Sequence, residues 1–273
     1  MTKNFLEQFE AYQNIYFIGI GGTGISALAR LLAQNKYNIS GSDILPSTNL
    51  ELLKKEGINI FTQHSEENIS TQIQLIIYTV AITMDNPELL KAKQLRIPCL
   101  SYPEAVGLLT KSLKTIAICG THGKTTTTAM LGFALTENNF DPSVIVGALL
   151  PDFKNQNYRA GMSDWLILES CEYQDSFLNY SPKIIILNNI EIDHLDYFQN
   201  YKKYIKSFHK FISSLPNTGL LIANIDDPNI QKLLQQKQEV QQLKNKQTTL
   251  PSTLAVVKAQ LAILKPRTIK LFI

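Results

Sequence analysis

The segment Gly120-Thr121-His122-Gly123-Lys124-Thr125-Thr126 has the residue types and spacing of a phosphate-binding loop. Glycines let backbone N–H groups converge on phosphate oxygens. A lysine neutralises charge between the β and γ phosphates, and a hydroxyl beside it can ligate Mg²⁺. Lys124 and Thr125 take those two roles here. The spacing is tighter than the usual Walker pattern, whose first glycine would fall at Ile118. Two acid-rich segments follow later apolar runs: Glu169-Ser-Cys-Glu172, and Asn189-Ile-Glu191-Ile-Asp193-His194-Leu-Asp196. Such acids, with an asparagine and a histidine, can hold Mg²⁺ and position a nucleophile if their strands end on the rim that carries the loop.

A second glycine segment, Gly19-Ile-Gly21-Gly22-Thr23-Gly24, lies between an apolar run and a helical pattern. Glycines there permit a tight turn and close approach to a diphosphate at a helix N-terminus. Asp43 falls roughly 20 residues on, where a ribose-binding acid is expected. A dinucleotide is the usual ligand, but any nucleotide diphosphate makes the same demand. The plainer reading is a turn that only lets helix pack on strand. His64 precedes Asn68 in a loop and is ambiguous by itself. His209 and the series Tyr197, Phe198, Tyr201, Tyr204, Phe208, Phe211 read as helix packing.

Strands alternating with helices must position these residues. Strand patterns at 15–20, 37–40, 58–61 and 75–79 alternate with helical patterns at 24–35, 50–56 and 87–95, and the first domain ends near Lys111. A second series opens with a strand at 115–119 and a helix at 124–137. It continues with strands at 144–146, 165–169, 184–187 and 220–223 and an amphipathic helix near 201–215. Alternation of this kind implies parallel sheets. The expected class is α/β: a Rossmann-like parallel-sheet domain over 1–112, then a P-loop-type α/β ATPase domain over 113–235 that reads as incomplete.

Length and composition agree. At 273 residues, 44% hydrophobic and 18% charged, the chain is too apolar for general disorder and long enough for two cores. No apolar run nears the ~20 residues needed to span a bilayer. The first ten residues lack a signal-peptide core. Cys99, Cys119 and Cys171 are scattered, which fits a reducing, cytoplasmic setting. The net charge of +3 belongs to the end of the chain: after Glu239 come six basic residues and no acid, leaving 20 basic against 23 acidic before it. That argues against a nucleic-acid surface on the body.

In this order the segments resemble the Mur ligase family, and within it the branch that joins L-alanine to UDP-N-acetylmuramate. The resemblance is carried by Ile-Gly-Ile-Gly-Gly-Thr-Gly at 18–24, Gly-Ser-Asp at 41–43 and Gly-Thr-His-Gly-Lys-Thr-Thr-Thr-Thr at 120–128. Glu172 with Asp175-Ser176-Phe177-Leu178, the run Asn189 to Asp196, and Asp226-Asp227-Pro228 complete it. It implies a cytoplasmic, ATP- and Mg²⁺-dependent ligase of peptidoglycan synthesis working through an acyl phosphate, with UDP-N-acetylmuramate and L-alanine as substrates. By motif position Gly19, Gly21, Gly22, Thr23 and Gly24 would hold the UDP diphosphate, Asp43 the uridine end, and His64 the substrate side. Gly120, Thr121, His122, Gly123, Lys124, Thr125, Thr126 and Asn189 would meet ATP. Thr125, Glu172 and His194 would ligate the metal, with Lys124, Glu172 and His194 as the catalytic set.

Cys171 stands where many members carry aspartate, Asn188 where threonine is usual, and Ser101 and Tyr102 where arginines are frequent. After about Leu234 the pattern stops, and the glutamine-rich, basic stretch 236–273 reads as a replaced end of a C-terminally truncated member. The second sheet is therefore expected to lack strands and expose an edge, part of which residues 254–273 could cover. Two alternatives stay open: a non-catalytic remnant that binds nucleotide or UDP-sugar, and a related muropeptide-recycling ligase.

Overall fold

The computed structural model describes residues 7–235 and 269–272. The chain forms two compact units, Met1–Ser112 with Ile145–Ala160, and Leu113–Val144 with Gly161–Ile273.

In the first unit, β1 (Asn14–Ile18), α1 (Thr23–Gln34), β2 (Asn38–Ser42), α2 (Thr48–Lys55) and β3 (Asn59–Phe61) are followed by β4 (Leu75–Tyr78), α3 (Pro87–Gln94), β5 (Cys99–Ser101) and α4 (Tyr102–Ser112). All strand pairs are parallel, in the order β3-β2-β1-β4-β5. The chain thus winds outward from β1 to β3, then returns to β4 on the other side of β1. A switch of that kind opens a crevice at the carboxyl ends of β1 and β4, and the glycine turn follows β1. The β1 residues Ile15, Tyr16, Phe17 and Ile18 are all buried, as expected of a central strand covered on both faces. Ser47 caps α2 by accepting from Leu50 N–H. Asn86 caps α3 by accepting from the N–H groups of Glu88 and Leu89, with Pro87 in the first turn.

The second series runs β6 (Lys114–Cys119), α5 (Lys124–Glu137), β7 (Ser143–Leu150), β8 (Gln156–Arg159), β9 (Trp165–Glu169), β10 (Ile184–Leu187), α6 (Leu195–Phe198), α7 (Tyr201–Ser213), β11 (Leu220–Asn224), α8 (Pro228–Gln235) and β12 (Ile269–Phe272). The sheet order is β12-β11-β10-β6-β9-β7-β8. β6 runs parallel between β9 and β10, and β11 runs parallel to β10. The amphipathic pattern at 201–215 is α7, capped by Asn200, which accepts from Lys203 N–H. It buries Phe208 and Phe211 against Phe177, whose ring stacks on Phe211 at 4.4 Å.

The edge that the sequence leaves open beyond β11 is occupied. β12 pairs with β11 in antiparallel register, Leu221 opposite Phe272 and Asn224 opposite Ile269. Residues 236–268, most of the basic stretch, lie outside the described residues. β5, α4, β8, α6 and α8 are also additions to the sequence reading. β8 is Gln-Asn-Tyr-Arg, too polar to register as a strand, and its Asn157 is fully buried against Arg30 of α1. Among the described residues no helix is long and apolar enough to cross a membrane.

Candidate nucleotide-binding site

Because β9, β6 and β10 are neighbouring parallel strands, the segments after each share one rim of the second sheet. The phosphate loop follows β6, Glu172 follows β9, and Asn188 to His194 follow β10. Gly120 has φ +131°, and a Cβ there would lie 2.9 Å from Asn189 O and 3.0 Å from Asn189 N. Only glycine fits. Gly123, at φ +77°, turns the chain into α5.

The asparagine pair grips the loop. Asn189 Oδ1 accepts from His122 N–H at 2.8 Å while its Nδ2 donates to His122 C=O at 3.0 Å. Asn188 Nδ2 donates to His122 C=O and to Thr127 Oγ1, at 3.3 and 3.1 Å. Both amide ends of Asn189 are therefore spent on shaping the loop. His122 and Thr126 are exposed at its mouth.

Lys124 Nζ donates to both oxygens of Glu172, at 3.1 and 3.4 Å, and to the loop carbonyls of Gly120 and Thr121, at 2.7 and 3.1 Å. The Glu172 side chain is fully buried. Its Oε1 also lies 3.3 Å from the Tyr204 hydroxyl and 4.0 Å from His194 Nε2. His194 is held in the left-handed region at φ 54°, with its N–H donating to Asp193 Oδ1 and its ring against Tyr173 at 4.7 Å. Thr125 Oγ1 donates to Glu169 Oε1 at 2.9 Å. Cys119 and Cys171 flank the loop lysine and Glu172. Burial first, then the Glu172 charge, pushes both thiols up and keeps them from acting as thiolates.

Sequence reasoning did not single out Tyr204 or Glu169. Tyr204 sat in a series read as packing, and Glu169 was one acid of a cluster.

Among the described residues no group of three or more His, Cys, Asp or Glu side chains makes a metal cage. Mg²⁺ does not need one beside a nucleotide, since it keeps several waters and takes one or two carboxylates plus phosphate oxygens. The Glu172 carboxylate, paired with Lys124, and the hydroxyl of the next residue, Thr125, are hard oxygen donors of the kind that coordination takes.

In the first unit, Gly21 N–H donates to Asp43 Oδ2 at 2.8 Å, and Asp43 Oδ1 accepts from Leu45 N–H at 3.0 Å. Asp43 thereby fixes the glycine turn. A Cβ at Gly21 would meet Leu50, Asp43 and Ser47 at 2.8 to 3.0 Å. Gly22 is the N-cap of α1, and Thr23 and Gly24 form its first turn.

His64 belongs to a polar cluster. Its Nδ1 lies 2.8 Å from Glu88 Oε2 and 2.9 Å from Ser42 Oγ. Glu88, fully buried, also accepts from Ser42 Oγ, Tyr16 OH and Asn68 Nδ2 at 2.6, 2.7 and 2.8 Å. Ser42 and Glu88 meet the same ring nitrogen, so the three are not a nucleophilic triad. Four donors on one buried carboxylate instead fix the histidine ring, with Nδ1 as the engaged nitrogen.

Two α/β units, one a parallel sheet with a glycine turn at its switch point and one a mixed sheet with a lysine-bearing loop after a central strand, have the architecture of a nucleotide-binding α/β protein. The chain belongs to the Mur ligase family: its catalytic-domain model matches residues 14–113 and its middle-domain model residues 118–260. The sequence is 42% identical over 222 residues to the UDP-N-acetylmuramate–L-alanine ligase of Caldicellulosiruptor bescii, covering 81% of this chain and 48% of that one. It is 44% identical over 225 residues to the ligase of the same name from Clostridium botulinum, covering 82% and 49%. The chain thus spans about half the length of the curated relatives it matches. The crystal structure of UDP-N-acetylmuramate–alanine ligase MurC from Thermotoga maritima aligns with TM-score 0.74 at 31% identity, covering 81% of this chain and 51% of that one. The UDP-N-acetylmuramate:L-alanyl-γ-D-glutamyl-meso-diaminopimelate ligase from Neisseria meningitides aligns with TM-score 0.75 over 82% of this chain and 75% of that one. At 22% identity, that match concerns the fold alone.

Proposed function

We propose that this chain serves the ATP-dependent joining of L-alanine to UDP-N-acetylmuramate in peptidoglycan synthesis, a cytoplasmic reaction. The observation that carries the reading is the loop lysine at 3.1 Å from the buried Glu172, with Thr125 beside it, in a chain 42% identical to a relative named for that reaction.

A carboxylate is a poor acyl donor until it is phosphorylated. Its oxygen would attack the γ-phosphorus of ATP and ADP would leave. The amine nitrogen of alanine would then attack the acyl carbon, lose its proton and expel phosphate. Lys124 would bring positive charge to the β and γ phosphates, while the loop N–H groups between Gly120 and Thr126 orient them. Thr125, Glu172 and His194 would hold Mg²⁺, which when bound offsets the repulsion between the two anions. In the first unit the Gly19–Gly24 turn would take the UDP diphosphate and Asp43 would keep that turn in shape. His64, its Nδ1 engaged by Glu88, would offer Nε2 to the substrate.

The test is phosphate release by the full chain with ATP, UDP-N-acetylmuramate and L-alanine. The reading expects release only when all three are present with Mg²⁺. Binding of both nucleotides with no release under any condition would make the chain a binding protein instead.

A further inference from the structure

Tyr204 lies on α7, away from every segment that carries the nucleotide motifs, yet its side chain is 1% exposed and its hydroxyl ends inside the site. It is 2.9 Å from Thr121 Oγ1 in the phosphate loop and 3.3 Å from Glu172 Oε1. Thr121 Oγ1 already accepts from Glu191 N–H and can donate to Glu191 C=O, each at 2.8 Å. With the threonine proton placed there, the tyrosine has one proton and two acceptors, one on the loop and one on the acid. The ring is held between Phe198 and Phe208, with centroids at 4.9 and 5.1 Å, which leaves the hydroxyl little freedom to leave either partner.

We infer that Tyr204 is a positioning residue for the metal-bound nucleotide: its hydroxyl ties the Glu172 carboxylate to the phosphate loop, so that acid and loop meet Mg²⁺ and phosphate in one fixed relation. The inference rests on the nucleotide reading of this loop. It assigns Tyr204 no contact with substrate and no part in proton transfer. A residue that only filled the core would support nucleotide binding equally with and without metal. One that holds the metal's carboxylate acts only when metal is there.

Calorimetric titration of the full chain with ADP, first in Mg²⁺ and then in EDTA, separates the two cases. Tyr204→Phe keeps the ring and removes the bridge, so Mg·ADP affinity is expected to fall about tenfold, the loss typical of one hydrogen bond to a charged group. Metal-free ADP affinity should be unchanged. Metal-free ADP binding by Tyr204→Phe reports in the same experiment that the variant folds, and Tyr204→Met, which also lacks the hydroxyl, gives the same metal-dependent loss if it does not. Equal losses with and without Mg²⁺, or no loss in either, overturn the inference while leaving the nucleotide site standing. If the unaltered chain gives no heat with Mg·ADP, the nucleotide reading falls and this inference with it.

Discussion

The ammonium of Lys124 and the carboxylate of Glu172 lie 3.1 Å apart, and the carboxylate has no exposure to solvent. One residue opens α5 and the other follows β9, so their meeting depends on β6 and β9 being neighbours. Among the described residues, Lys124→Ala leaves the buried acid with the Tyr204 hydroxyl and a distant imidazole. Loss of a single transition-state phosphate contact costs about 3–4 kcal/mol, so any ATP turnover should fall by about 10²–10³. Lys124→Arg should not restore it, because a planar guanidinium is broader than the point charge this loop encloses. Steady-state phosphate release checks both variants, and near-normal rates in either contradict the role.

Glycines in the chain differ in what they tolerate. At Gly120 a Cβ meets backbone at 2.9 Å and φ is +131°, whereas at Gly57 φ is +84° with nothing within 4 Å. Gly57→Ala should cost only the left-handed backbone penalty, about 1–2 kcal/mol. Gly120→Ala should cost more and remove nucleotide binding as well, since the loop must separate from Asn189. Urea unfolding of the two variants side by side checks the ranking.

The phosphate loop and its acids were legible in the sequence because their chemistry is local. A glycine that must approach backbone, a lysine and a hydroxyl sit within seven residues, and apolar runs show which strands they follow. Tyr204 was not legible, since its hydroxyl reaches the site only through the packing of α7. Glu88 is equally hidden, an acid in the first turn of a helix with no motif around it. Its four donors come from β1, β2 and the segment after β3. β8 is hidden because its polar residues are buried by partners distant in sequence, and β12 because it lies beyond residue 260, where the family match ends.

Arg30 and Asn157 illustrate that distance. The Arg30 side chain is fully buried, its Nε 3.1 Å from Glu56 Oε2 and its Nη1 2.9 Å from Asn157 Oδ1. Asn157→Ala leaves a buried guanidinium donor unpaired and should destabilise the first unit by about 1–3 kcal/mol. Arg30→Ala also empties a large buried volume and should cost more. Chemical denaturation measures both. A neutral Asn157→Ala would mean that this bond contributes nothing to the unit.

The Tyr16 phenol is pushed well above its ordinary value of 10.0, chiefly by burial and further by the Glu88 charge. The fold therefore favours the neutral phenol. Its contribution to stability is complete below the unfolded value and declines as pH rises beyond it. Each such tyrosine steepens the alkaline loss by about 1.4 kcal/mol per pH unit. Unfolding free energies should run parallel for the natural chain and Tyr16→Phe below about pH 9 and fall more steeply for the natural chain from about pH 10 upward. Curves parallel throughout contradict the assignment.

The rim built on β9, β6 and β10 is expected to bind a nucleoside triphosphate with its metal. Titration of the full chain with Mg·ATP, compared with Lys124→Ala, tests it most directly. Saturable one-to-one binding by the natural chain, weakened at least about tenfold in the variant, is the expected result. Absence of binding by the natural chain, or equal affinity in the two, would contradict it.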